Sequence, residues 1–169
     1  GVEEPNIPTT SLLINPTATN IRYGRFVMEN AFGPETDDLA MKAYTEFLNV
    51  TGGQYVLNTV DNCINLLSTL TLDPSGASGA ENHGAIPVGS GTSDFSYNSP
   101  LSLGEAGFLF TAPGAGNNGT VDVNVELLSL PWLQYDWDGD GTLQNPPSIT
   151  ASFGQYRGHD RIIYWREIQ

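Results

Sequence analysis

Positive charge is scarce in this sequence: six lysines and arginines stand against nineteen aspartates and glutamates, a formal net charge of −13. Nucleic acid is thereby disfavoured as a partner, since phosphate contact needs a basic face. An anionic membrane surface is disfavoured on the same grounds. Cys63 is alone, so no disulfide forms within the chain. There is no apolar run long enough for a signal peptide or a membrane span, so no direct membrane insertion is expected of this segment. Any export signal would lie outside it, and the chain reads as part of a longer protein. Histidine is limited to His83 and His159. Zinc motifs of the H-E-x-x-H or Cys/His kind are missing, and so is a G-x-S-x-G nucleophile elbow.

What the chain does have is turn chemistry and short apolar runs. Nineteen glycines and eleven prolines, with frequent Asn, Ser and Thr, favour many strands joined by many turns. Residues 1–20 read as an extended linker or N-terminal arm, in which only Ser11–Ile14 could dock on a sheet. Residues 21–169 read as a single β-domain. Alternation begins at "IRYGRFVMEN". The stretch "ETDDLAMKAYTEFLNVTGGQYV" is ambiguous. As a helix it has Thr36 as cap, Leu39, Ala43 and Phe47 at four-residue spacing, and a stop at Gly52. As a strand it places Leu39, Met41, Ala43, Thr45 and Phe47 on one face, with "NVTGG" turning into "QYVLNTV". Residues 73–93 carry Gly, Ser and Pro without periodicity and read as a long loop. "TVDVNVEL" is the cleanest strand, with Val121, Val123, Val125 and Leu127 facing one way. "SITASF" and "DRIIYWREI" give two closing strands. The expected fold is an all-β antiparallel sandwich of about eight strands with long loops.

Several motifs have plain structural readings. "GAGNNG" (Gly114–Gly119) matches a dinucleotide fingerprint, but it runs from strand to strand and reads as a hairpin turn. "NVT" and "NGT" fit glycosylation acceptors and also fit turns, which is the preferred reading. Cys63 has no sequence-local partner to activate it and is expected to be a small buried hydrophobe. Trp132, Trp137 and Trp165 are read as core or loop anchors ahead of a sugar-stacking platform, with Trp137 packing down to fix the loop that contains it.

That loop is "YDWDGDG". Asp136, Asp138 and Asp140 occupy alternate positions and a glycine closes the run. Hard cations take oxygen ligands, and Ca²⁺ takes about six to eight of them. Three carboxylates at this spacing repel one another unless a cation lies between them. The carbonyl of Thr142 would be a fourth contributor, and Gln144 stands where a helix–loop–helix calcium site often acts through water. That site's distal Glu is replaced by Pro147, so the loop is not an EF-hand. It is read as an EF-like calcium loop, against the alternative of an acidic Asp-Gly turn with free carboxylates. The expected metal set is Asp136, Asp138, Asp140, Thr142 and Gln144; no catalytic residue is assigned.

"LPWLQYDWDGDG" followed by "ASFGQYRGHDRIIYWREI" resembles the C-terminal domain of MshQ-type proteins, which belong to the mannose-sensitive haemagglutinin type IV pilus system of Gram-negative bacteria. "RYGRFVMENAFGPE" and "LNVTGGQYVLNTVDNC" add to the likeness. The resemblance implies strand for "LAMKAYTEF", where family members often carry prolines. It also implies export, with further modules upstream. Family members often have an acid just past the loop's glycine, where this chain has Gln144 and Asn145. Arg157, Asp160 and Arg161 are read as a structural clasp of the C-terminal motif.

The expected function is that of a non-enzymatic, pilus-associated or cell-surface domain serving assembly or adhesion. Ca²⁺ would act as a structural brace. Expected partners are pilus or cell-surface proteins or glycans, outside the cell. The alternatives are a carbohydrate-binding adhesion module and, behind it, a glycosidase-like hydrolase, whose paired carboxylates are recognised only in space.

Overall fold

The computed structural model describes residues 24–49, 51–66, 70–73 and 82–155. Eleven strands run through them: β1 (Gly24–Met28), β2 (Ala31–Gly33), β3 (Leu39–Met41), β4 (Ala43–Asn49), β5 (Gln54–Leu57), β6 (Leu70–Asp73), β7 (Asn82–Val88), β8 (Gly91–Ser96), β9 (Phe108–Phe110), β10 (Gly119–Val125) and β11 (Ile149–Phe153). They form three sheets, ordered β1-β4-β5, β2-β11-β10-β6 and β3-β9-β8-β7. Pairing is antiparallel except between β2 and β11. The fold is the all-β sandwich expected from composition.

The ambiguous segment is strand. Leu39, Met41, Ala43 and Thr45 are all buried, while Ala40 and Lys42 are exposed. Period two therefore holds across the break at Lys42, whose carbonyl accepts the N–H of Glu29 in register with the β1–β4 ladder. In β10 the same alternation buries Val121, Val123 and Val125, with Leu127 continuing beyond the strand. Across from them lie Phe95, Phe108 and Phe110, each at most 1% exposed. Phe110 meets Phe153 edge-on at 6.1 Å, joining the two four-stranded sheets through their inner faces.

Two expectations need correction, and two strands went unread. Residues 73–93 are not one loop: β7 occupies Asn82–Val88, Gly89 and Ser90 make the turn, and β8 begins at Gly91. Two features hide β7 from a periodicity reading. Pro87 lies in an edge strand, where its missing N–H costs no ladder bond. A register shift between His83 and Ile86 breaks the alternation; there Ala85 has φ 58 and donates its N–H to Asp94 Oδ1 at 2.9 Å. Second, Gly114–Gly119 is not a hairpin. It carries the chain from β9 in one sheet to β10 in the other. Asn117 pins it, donating to the Pro113 carbonyl and accepting the Ser90 N–H. Beyond these, β2 and β6 are short strands that the sequence pattern does not single out. The "NVTGG" hairpin turn between β4 and β5 is as expected, with Asn49 Oδ1 accepting the Thr51 N–H.

Candidate metal centre

After β10 the chain makes one 3-10 turn, Pro131–Leu133, whose fixed-φ Pro opens the turn and whose Leu133 is buried. Tyr135 then pairs with Gln144 as an antiparallel bridge, through N–H···O distances of 3.1 and 2.9 Å. This bridge closes the neck of the acidic loop. Inside it Asp136 accepts the N–H groups of Gly139 (2.7 Å), Asp140 (3.0 Å) and Gly141 (2.9 Å). Gly139 and Gly141 have φ 79 and 88, a region that other residues enter at a cost, so both glycines are needed for the curl. Asp140 accepts the Thr142 N–H at 2.7 Å. Asp138 accepts the Asp140 N–H at 3.3 Å and the Gln144 side-chain amide at 3.0 Å.

Each of the three aspartates therefore offers an oxygen within 4.8 Å of the others'. The Gln144 amide, followed by the Asp140 N–H, holds the Asp138 carboxyl below its ordinary 3.8. A hard divalent cation suits this donor set by charge and by atom type. Of the expected ligands, Asp136, Asp138 and Asp140 are brought together. Thr142 and Gln144 lie beside them, Thr142 donating its N–H to Asp140 and Gln144 its side-chain amide to Asp138.

What holds the loop against the sheet was not legible in the sequence. Arg25, on β1, lies 4.0 Å from the ring centroid of Tyr55, 4.8 Å from Tyr135 and 5.5 Å from Trp137. The rings pack edge to face, Tyr55 on Tyr135 at 5.4 Å and Tyr135 on Trp137 at 5.1 Å. Glu46, opposite Arg25 in the β1–β4 ladder, accepts from both Arg25 Nε and its terminal amine at 2.8 Å. A guanidinium thus fills the space between three rings while a carboxylate fixes its plane. Trp137 packs down as expected, and its indole N–H is enclosed without an acceptor among the described residues. The only sequence signal for this clasp is Tyr135 and Trp137 at i and i+2, which puts both rings on one side of an extended neck.

The remaining candidates fall apart spatially. Cys63 is exposed rather than buried. Asp61, itself buried, accepts the Cys63 and Ile64 N–H groups and the Thr45 hydroxyl, which fixes the turn, and the Cys63 thiol also lies 3.7 Å from its Oδ1. Trp132 is 56% exposed and stands apart from the Trp137 clasp. His83 is in β7 rather than in a loop. His159, Trp165, the Arg157–Asp160–Arg161 clasp, the N-terminal arm and the last expected strand lie outside the described residues. Among the described residues no helix is long and apolar enough to cross a membrane.

Fold and loop together define an all-β sandwich domain carrying an acidic turn locked to its three-stranded sheet. The chain belongs to the family described as DUF6701, fourth domain, whose profile matches residues 22–168. No curated protein and no solved structure matches the chain.

Proposed function

We propose that this domain is a non-enzymatic module of an exported surface protein of the MshQ-like, MSHA-pilus kind, acting in assembly or adhesion. Its Asp136 loop takes Ca²⁺ as a structural brace. The observation that carries the metal reading is the convergence of the Asp136, Asp138 and Asp140 oxygens within 4.8 Å on a loop clasped at its neck. The remaining shell would come from the Thr142 carbonyl, Gln144 and water. Support for the pilus assignment is the resemblance of the C-terminal motif, together with an acidic surface suited to millimolar calcium outside the cell. Glycan binding has one observation in its favour, the exposed Trp132, since the Trp137 ring is taken up by the clasp.

Calorimetric titration of the EDTA-treated domain tests the brace. Binding with a Kd near 1 mM is expected, with Mg²⁺ weaker. At 10 mM Ca²⁺ that affinity stabilises the fold by about 1.4 kcal/mol. Asp136→Asn should abolish the heat signal. Silence at 10 mM Ca²⁺ with an unchanged Tm would sink the metal reading. For the pilus assignment, excising this domain from the parent protein should reduce surface pili or adhesion. Normal pilus number and normal adhesion would remove that assignment while leaving the calcium question separate.

A further inference from the structure

The outer face of the β1-β4-β5 sheet is only half covered. Ladder pairs Arg25–Glu46, Val27–Tyr44 and Glu46–Leu57 set these side chains on one face. The Asp136 loop covers the Arg25–Tyr55 end through the ring contacts described above. At the other end a groove of about 830 Å³ remains open. Its floor is apolar, with Leu57 and Leu109, and the carboxylate-bearing residues Glu29, Glu46 and Glu105 line it with Tyr44. Tyr44 donates its hydroxyl to Glu29 at 2.9 Å. Burial first, then that bond and the surrounding carboxylates, push the Tyr44 phenol up to about 12, so it remains a donor throughout the physiological range.

We propose that this groove is a docking site for a basic, extended segment of a partner protein, with lysine or arginine alternating with apolar residues. Charge complementarity selects the occupant. Three glutamates line the groove, on a chain of net charge −13. Arg25 already pairs with Glu46 at 2.8 Å, so the attraction rests on Glu29 and Glu105, with Lys42 also on the groove's lining. Lys42 reaches Glu29 only at 3.6 Å, with its side chain 75% exposed; such a surface pair is readily exchanged for a partner's cation. A lysine or arginine lays its methylene stem on Leu57 and Leu109 and sets its head among the carboxylates. Alternating apolar residues of the segment would meet the floor with the spacing of a strand. The groove and the metal loop are separate sites, so this inference does not depend on the calcium reading.

The test uses a fluorescein-labelled octapeptide of alternating lysine and valine, followed by anisotropy in low salt. Saturable binding is expected, weakened about tenfold by the Glu29→Gln/Glu105→Gln double variant and several-fold by 0.3 M NaCl. Leu57→Arg places a resident cation in the groove and should cost about tenfold too. Both changes are at exposed positions, and an unchanged Tm confirms that the fold persists. Asp37→Asn, at an exposed position outside the groove, should leave binding unaltered. The proposal is overturned by absence of binding. It is equally overturned if Asp37→Asn weakens binding as much as the groove variants do, because the attraction is then unspecific. Spermine binding as tightly as the peptide would also overturn it, since the apolar residues would then contribute nothing.

Discussion

Between the two large sheets, Phe95 lies with its ring centroid 4.6 Å from Phe110 and 5.3 Å from Phe108, all three sealed from solvent. At the acidic loop, three rings are instead gathered around Arg25, and Glu46 holds the cation from the neighbouring strand. Both regions use aromatic residues. In the core they are the driving force, since burying a Phe is worth roughly 1.5–3 kcal/mol by transfer alone. In the clasp they are the walls of a cation site, and each contact is worth about 0.5–2 kcal/mol. Strands can thus be stabilised by many interchangeable apolar contacts, while the loop depends on one side chain that reaches it from more than a hundred positions away in the sequence. Core damage should lower global stability. Clasp damage should free the loop first.

The largest effect is therefore expected from Phe95→Ala. Its ring also touches Tyr97 at 5.9 Å, so truncation leaves a cavity lined by three rings. A loss of about 3–5 kcal/mol is expected in urea unfolding. Arg25→Met should cost less, about 1–3 kcal/mol, by removing the cation from the rings and leaving Glu46 without its guanidinium. Its signature is local: hydrogen exchange of the Trp137 indole N–H, enclosed in the intact clasp, should speed up well before global unfolding. Arg25→Lys should fall between, keeping charge while losing the flat fork that stacks on Tyr55. If Arg25→Met destabilised the fold as much as Phe95→Ala, with no selective gain in Trp137 exchange, the distinction between core and clasp would be wrong.

The same contrast explains what could be read from the sequence. Period two is a local signal, and it located the buried face of Val121, Val123 and Val125. Over Leu39–Phe47 it was ambiguous, because a spacing of four residues is compatible with one helix face and with one strand face, and only the family resemblance favoured strand. β7 escaped because its bulge at Ala85 and its Pro87 break the alternation, although Ile86 and Val88 are fully buried or nearly so. The three aspartates were legible as a set, since side chains two apart on a curled loop converge. Arg25, Tyr55 and Glu46 were not, because pairing between β1, β4 and β5 is what brings them to the loop. Cys63 was misread for a related reason. Nothing in "NTVDNCINL" reveals that Asp61 turns inward to take its neighbours' N–H groups while Cys63 remains exposed.

The smallest effect concerns the loop's own electrostatics, and it separates the loop from the clasp that holds it. Gln144 serves twice: its backbone closes the neck against Tyr135, and its side-chain amide donates to Asp138. Gln144→Leu keeps the first role and deletes the second. Since that donation is the leading cause of the depressed Asp138 pKa, the variant should raise the Asp138 midpoint toward the ordinary 3.8 in a carboxyl NMR titration. Asp138 is depressed in the folded state, so its contribution to stability is present above the unfolded value. It is lost as pH falls below about 3.8 through the folded value. The wild-type domain should therefore lose slightly more stability than Gln144→Leu across that acid window, and the two should behave alike in how their stability varies above pH 5. Trp137 exchange should be unchanged in the variant, because Arg25, Tyr55 and Tyr135 are untouched. An Asp138 midpoint that ignores the loss of the Gln144 amide would assign the depression to the Asp140 N–H instead. The loop would then be organised by its backbone alone.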